Sequence, residues 1–149
     1  MITPLSTRPK ILVAVAVSSD ESLLPAAVAE ARWRGADLVL LRVISSASPP
    51  SSDAPARPTE SGATLLARSA RAELATLCAQ VPADVGVGVR VAFGAPWQVI
   101  GEVARAEGAA LIVVGAHDRR PLDGLLGTTT ARVLNHADRS VLVARPRRP

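Results

Sequence analysis

The sequence predicts an α/β fold, a doubly wound five-stranded parallel sheet with helices on both faces. Apolar segments of strand length alternate with longer segments of helical periodicity along the 149 residues, as they do in successive βαβ units. The run from Leu111 to Val114 is apolar at every position, which is typical of a parallel strand covered on both faces. Right-handed crossovers between such strands place helices on both sides of the sheet.

The first third of the chain predicts a strand, a helix and a second strand. Lys10 to Val17 is a nearly continuous apolar strand. Ser18 and Glu21 have the spacing of a capping box, in which Ser18 caps the next helix and Glu21 reaches back. That helix ends at Gly35, and Ala36 to Ile44 is the second strand. The apolar face of the helix consists of Leu23, Leu24, Ala27, Val28 and Ala31.

The middle of the chain predicts an irregular excursion, a helix and a third strand. Ser45 to Pro58 is rich in Pro, Ser and Ala, a composition that favours a flexible segment over regular structure. A long helix is predicted over Glu60 to Gln80. Val85 to Phe93 is the third strand, and Gly94 ends it.

The last third predicts two more helices, each followed by a strand. Pro96 suits the first turn of a helix that ends at Gly108. The fourth strand ends at Gly115, Thr128 to Ala137 is a short helix, and Ser140 to Ala144 is the fifth strand. The residues that the first of these helices buries are Val99, Ile100 and Val103.

Length and composition indicate one domain over residues 1–149, with the flexible excursion at 45–58 and basic tails at 1–9 and 145–149. No apolar run approaches the ~20 residues that cross a bilayer, and the amino terminus lacks the apolar segment of a signal peptide. Cys78 is the one cysteine, so the sequence offers neither a disulfide framework nor a cysteine metal cluster. We therefore expect a cytoplasmic protein without a membrane segment.

The distribution of charge argues against a nucleic-acid-binding face. The formal net charge is +4, but five of the 17 basic residues lie near the two ends of the chain. These five are Arg8, Lys10, Arg145, Arg147 and Arg148. All 13 acidic residues lie between them, so the intervening chain carries no excess of positive charge. Aromatic residues make up only 2% of the chain, which leaves few platforms for stacking bases.

The segment from Gly115 to Thr130 holds the predicted ligand site. In open parallel sheets, ligands bind outside the carboxyl ends of the strands, and Gly115 at such an end lets a ligand approach the backbone. Gly127, Thr128 and Thr129 begin the next helix, where free amides and the helix dipole favour a phosphate group. The segment is not a Walker loop, because it contains no Gly-Lys-Ser/Thr.

The remaining polar residues form no catalytic set. The sequence shows no defensible Ser-His-Asp spacing, no cluster of metal ligands and no pair of carboxylates tied to the site. His117 in the loop is expected to face water, and His136 near a helix end is expected to interact with the helix dipole. We therefore expect a binding protein without a metal site rather than an enzyme.

These segments together resemble a universal stress protein over about Lys10 to Pro146. The resemblance is carried by Lys10-Ile-Leu-Val-Ala-Val15, Gly35-Ala-Asp-Leu-Val-Leu-Leu-Arg-Val43, Gly94-Ala-Pro, the Gly115 to Thr128 loop, and Arg132-Val-Leu-Asn-His-Ala137 with Val141-Leu-Val. It implies the sheet order 3-2-1-4-5 and a homodimer through the last strand, here Val141, Leu142 and Val143, whose apolar edge invites pairing. In one branch of the family it also implies ATP, held by a Gly-x2-Gly-x9-Gly-Ser/Thr loop.

The match to that nucleotide loop is partial. Gly115 fits the first glycine and Gly127-Thr128 the final pair, whereas Asp118 stands where the second glycine is usual and the loop is one residue shorter. Ala16 stands where ATP-binding members usually carry an aspartate for the adenosine. The strand ends, the helix start and the resemblance together assign the nucleotide to Val15, Ala16, Val43 (through its backbone), Val114, Gly115, Asp118, Arg119, Gly127, Thr128 and Thr129.

The departures from the loop pattern lower the affinity that we expect. A hydrogen bond to a charged group is worth roughly 1.5–3 kcal/mol, so the missing aspartate costs about ten- to a hundredfold in binding. Asp118 repels phosphates, although Arg119, Arg120 or a bridging divalent cation such as Mg²⁺ offsets that repulsion. Two functions stay open at this point. One is a stress-response sensor that binds ATP, with or without Mg²⁺; the other is a nucleotide-free dimeric interaction protein with an unidentified protein partner.

Overall fold

The strands and helices alternate along the whole described chain. The computed structural model describes residues 7–16, 22–45, 62–116 and 126–146. In these ranges the elements are β1 (Lys10–Ala14), α1 (Leu23–Arg34), β2 (Asp37–Ile44), α2 (Gly62–Cys78), β3 (Val87–Phe93), α3 (Pro96–Glu107), β4 (Ala109–Gly115), α4 (Thr128–His136) and β5 (Ser140–Ala144). All strand pairings are parallel, in the order β3-β2-β1-β4-β5, which confirms the predicted fold class.

Alternate side chains of the strands fill two aliphatic cores, one on each face of the sheet. On β1, Ile11 and Val13 belong to the core beneath α1 and α2, whereas Leu12 belongs to the core beneath α3 and α4. All three side chains are fully buried. Burying a Val, Leu or Ile side chain stabilises the fold by about 1.5–3 kcal/mol. The central strands therefore hold the carboxyl edge of the sheet in a fixed position.

Glycine and proline set the helix ends that the sequence predicts. Gly35 (φ +62°) and Gly108 (φ +63°) take the left-handed conformation after α1 and α3, where glycine carries no steric cost. Pro96 occupies the first turn of α3. Its missing N–H costs nothing there, because an N–H in the first turn has no acceptor within the helix. The buried residues of α3 are Val99, Ile100, Val103 and Ala104, which include the three that were predicted.

Two predicted boundaries near the amino end are wrong. Helix α1 begins at Leu23 with Ser22 at its N-cap, so the predicted cap at Ser18 is displaced; Ser18 itself lies outside the described residues. Strand β1 ends at Ala14 rather than at Val17. Val15 lies beyond that end but is still buried, at 7% exposed, which explains why the apolar run extends past the strand. Its backbone N–H donates to the Leu41 carbonyl over 2.8 Å.

Ion pairs tie the opposite edge of the sheet together. Glu107, at the end of α3, accepts hydrogen bonds from Lys10 Nζ (2.8 Å) and from an Arg90 guanidinium nitrogen (2.7 Å). Its side chain is 17% exposed, whereas those of its partners are 40% and 45% exposed. These contacts join α3 to the central strand β1 and to the edge strand β3.

Of the predicted flexible segment, all but Ser45 lies outside the described residues, so its character stays a prediction. No helix in the described ranges is long and apolar enough to span a bilayer.

Candidate functional site

The strand register brings four of the predicted site residues to one edge of the sheet. The last pairs of β1 are Ala14 opposite Leu41 of β2 and Val13 opposite Val113 of β4. Continued by two residues, this register puts Ala16 level with Val43 and Val15 level with Gly115. Because β1 is the central strand, these positions are neighbours at the carboxyl ends of adjacent strands. Chain connections leave β1 and β4 in opposite directions along the sheet, so this edge is the topological switch point where such folds bind ligands.

Burial decides which atoms of these residues a ligand can reach. Val114 is 3% exposed and packs in the core beneath α3 and α4, while Val15 packs in the core on the other face. Both therefore offer backbone atoms rather than side chains to a ligand. Val43 is half-buried, and Ala16 is exposed. The rim at the end of β1 and β2 is consequently lined by main chain and by small apolar groups.

Gly115 leaves open space at the end of β4. A Cβ atom added to this residue would meet no described heavy atom within 4 Å. Gly115 is also absent from the glycines with positive φ in the described chain. Neither backbone conformation nor packing against the described residues therefore requires glycine here. Among the described residues, the missing side chain leaves room beside the backbone at this position.

The start of α4 lies directly against this edge. Gly127 is the N-cap, with extended backbone (φ −60°, ψ 157°), and its N–H donates to the Ala116 carbonyl over 2.8 Å. The next three backbone N–H groups belong to Thr128, Thr129 and Thr130, and we find no acceptor for them among the described residues. Such amides, together with the positive end of the helix dipole, form an anion-binding arrangement.

Thr130 makes a contact that sequence reasoning missed. Its residue is 3% exposed, and its hydroxyl donates to the Gly115 carbonyl over 2.6 Å. The sequence predicts Thr130 within the ligand-site segment, at the start of a helix, but assigns it no role. The only available signal was a hydroxyl at the third helical position after Gly127, and that pattern does not reveal a partner on another strand.

Two predicted site residues, Asp118 and Arg119, lie outside the described residues. Their assignment to the phosphate end of the site stays a prediction from the loop pattern. The same holds for His117 and Arg120, which flank them in the sequence.

Two other titratable groups that the structure describes, His136 and Cys78, have structural surroundings. The His136 ring packs on Trp97, with centroids 4.5 Å apart, and its Nδ1–H donates to the Arg132 carbonyl over 2.9 Å in the last turn of α4. Cys78 is half-buried on α2, and this burial raises the pKa of its thiol. The described ranges contain no group of three His, Cys, Asp or Glu side chains arranged to hold a metal ion.

Several solved structures have a fold similar to that of this chain. Hypothetical protein MJ0577 is 22% identical, with a TM-score of 0.71, and the match covers 95% of this chain and 98% of that one. Universal stress protein UspA from Lactobacillus plantarum is 26% identical, with a TM-score of 0.67 and coverage of 92% and 97%. The universal stress protein from Archaeoglobus fulgidus, solved in complex with dAMP, is 21% identical, with a TM-score of 0.66 and coverage of 92% and 97%.

Sequence comparison gives the family directly. No curated protein sequence matches the chain significantly. The model of the universal stress protein family, however, matches residues 7–145, which is nearly the full length and includes every strand and helix described above. The chain therefore belongs to the universal stress protein family.

Proposed function

We propose that this chain binds an adenine nucleotide, ATP in the first instance, and acts as a cytoplasmic sensor or regulator in a stress response. The observation that carries this proposal is the start of α4. Three consecutive threonine amides without described acceptors lie at the carboxyl edge of the sheet, beside the open space at Gly115. That combination provides both positive potential and room for a phosphate chain.

In this proposal the two ends of the nucleotide contact different parts of the rim. The phosphates lie against Gly115, Gly127 and the amides that follow it, with Arg119 as a further contact. The adenosine lies over the ends of β1 and β2, at Ala16 and Val43. The dAMP bound by the Archaeoglobus fulgidus relative supports the choice of an adenine nucleotide.

The proposal assigns binding and no catalytic step. No side chain described at the rim is a general base, because its residues are valine, alanine, glycine and threonine. Ala16 also lacks the carboxylate that would hold the adenosine, and Asp118 adds negative charge to the phosphate loop. We therefore expect weak binding in the unmodified protein. Mg²⁺ strengthens the binding of ATP if it bridges Asp118 and a phosphate.

Calorimetry with ATP, ADP and adenosine, with and without Mg²⁺, tests the proposal. Ala16→Asp is expected to tighten ATP binding by about ten- to a hundredfold, because a charged hydrogen bond is worth roughly 1.5–3 kcal/mol. Asp118→Gly is expected to help ATP more than adenosine, because it removes a charge near the phosphates alone. If neither the wild type nor Ala16→Asp binds ATP at millimolar concentration, the nucleotide proposal is refuted.

Gly127→Val tests the phosphate end separately, and it is expected to abolish ATP binding by filling the phosphate space. The extended backbone of Gly127 is a conformation that valine adopts readily, and far-ultraviolet circular dichroism of the variant checks that it folds. Ala95→Val is the matched control. Ala95 is the N-cap of α3, with similar backbone angles (φ −72°, ψ 121°) and likewise no side-chain cap hydrogen bond. This control is expected to bind ATP like the wild type.

We further propose a homodimer through β5. This strand lies at the edge of the sheet, and its described pairing is with β4 alone. The side chains of Val141, Leu142 and Val143 are only partly buried, and Leu134 on the neighbouring helix is 40% exposed. A second copy covers these apolar groups and pairs the strand edge. The same edge favours the second candidate function, a nucleotide-free interaction protein, if the nucleotide proposal fails.

A further inference from the structure

Two hydrogen bonds dock the start of α4 onto the end of β4. The Gly127 N–H donates to the Ala116 carbonyl over 2.8 Å, and the Thr130 hydroxyl donates to the Gly115 carbonyl over 2.6 Å. The first bond comes from the N-cap and the second from the third residue of the helix. One contact alone leaves the helix free to pivot about it, whereas two contacts almost a turn apart fix the direction of its first turn.

The second contact is well protected. Thr130 is 3% exposed, so water does not readily replace its hydroxyl. The distance of 2.6 Å lies within the range of O–H···O hydrogen bonds. Removing the hydroxyl leaves the Gly115 carbonyl without this donor at the edge where the strand ends. The loss is therefore expected to change the orientation of the start of α4 and to leave the apolar core unchanged.

We propose that Thr130 is a positioning residue for the phosphate end of the nucleotide. Its side chain does not touch the ligand. It holds the amides of Thr128 and Thr129 against the end of β4, so that they point to the phosphates beside Gly115. This inference rests on the proposed nucleotide function and adds to it the residue that sets the geometry of the anion site.

The test compares Thr130→Val with Thr130→Ser. Valine keeps the branched shape and removes the hydroxyl, whereas serine keeps the hydroxyl. Calorimetry is expected to show ATP affinity about tenfold lower in Thr130→Val, which is about the value of one hydrogen bond between the displaced amides and a phosphate. Adenosine affinity is expected to stay unchanged, since adenosine lacks phosphates. Thr130→Ser is expected to bind both ligands like the wild type.

Thr76→Val is the matched control. The Thr76 hydroxyl donates to the Ala72 carbonyl over 3.2 Å within α2, so this variant makes the same chemical change on a helix away from the site. It is expected to leave the affinity for ATP unchanged.

The possible outcomes separate the two proposals. If the wild type binds ATP and Thr130→Val binds it equally well, or loses ATP and adenosine affinity alike, positioning by Thr130 is overturned while nucleotide binding stands. A tenfold loss of ATP affinity in Thr130→Ser overturns it too, even if the valine variant does not fold. If neither the wild type nor Ala16→Asp binds ATP, both proposals fall together.

Discussion

Gly101 lies in the interior of α3, where glycine lowers stability and packing does not require it. An added Cβ would meet only Nη2 of Arg105, at 3.9 Å, which is the far end of a flexible side chain. Glycine inside a helix costs about 0.5–1 kcal/mol relative to alanine, because the unfolded chain loses more conformational freedom. Gly101→Ala is therefore expected to raise the free energy of unfolding by about 0.5–1 kcal/mol. For a chain of this size, that corresponds to about 1–4 °C in Tm.

Gly108→Ala at the end of the same helix provides a control of opposite sign. No described heavy atom lies within 4 Å of a Cβ added there, as at an open surface, but Gly108 has a φ of +63°. A left-handed conformation costs an L-residue with a side chain about 1–2 kcal/mol. Gly108→Ala is expected to lower the free energy of unfolding by that amount. The two variants thus make the same chemical change, and only the backbone conformation decides its sign.

Urea unfolding followed by far-ultraviolet circular dichroism measures both effects as shifts of the midpoint at constant slope. The reasoning is refuted if Gly101→Ala is as stable as the wild type or less stable while Gly108→Ala behaves as expected. Residue 101 would then have to be glycine because another part of the protein packs closely against it, in a contact that the described residues do not show.

Two further predictions concern charge and assembly. Hydrogen bonds from Lys10, the larger cause, and from Arg90 lower the pKa of Glu107 below its ordinary value of 4.5. These pairs therefore stabilise the fold above pH 4.5. They lose this effect as the pH falls through the lowered pKa. Because both basic partners are partly exposed, Glu107→Gln is expected to cost about 1 kcal/mol in urea unfolding at pH 7. This cost is expected to shrink as the pH falls through the lowered pKa of Glu107, and a cost that stays constant with falling pH would contradict this. Replacing Val141 and Val143 together with lysine is expected to give monomers by light scattering, and a wild type already monomeric at tens of micromolar would rule out the proposed dimer.

Where local chemistry decides, the sequence predicted the structure well. The helix ends at Gly35 and Gly108 and the start at Pro96 follow from backbone conformations that these residue types favour on their own. Strand β1 was predicted too long, because hydrophobicity reports burial and not strand conformation. Val15 is buried beyond the end of the strand and still donates to the Leu41 carbonyl, so an apolar run cannot mark the last strand residue.

Contacts between distant parts of the chain could not be predicted in the same way. The hydrogen bond from Thr130 to Gly115 joins a helix to a strand across the loop between them. Arg42 is a second example, since it interrupts an apolar strand and its side chain is only 9% exposed. Its guanidinium pairs with Glu73 on α2 over 2.9 Å. Only the packing of α2 over β2 brings this partner within reach.

The central place of β1 in the sheet has a consequence for synthesis of the chain. Strand β1 pairs with β2 on one side, but its other side pairs with β4, beginning at Lys10 opposite Ala109. Roughly a hundred residues must therefore follow β1 before that partner exists. At about 5–20 residues per second, the growing chain carries this apolar strand half-paired for about 5–20 s. During this interval the nascent sheet has an open edge in what becomes its middle, and chaperones that bind extended apolar segments have time to act there.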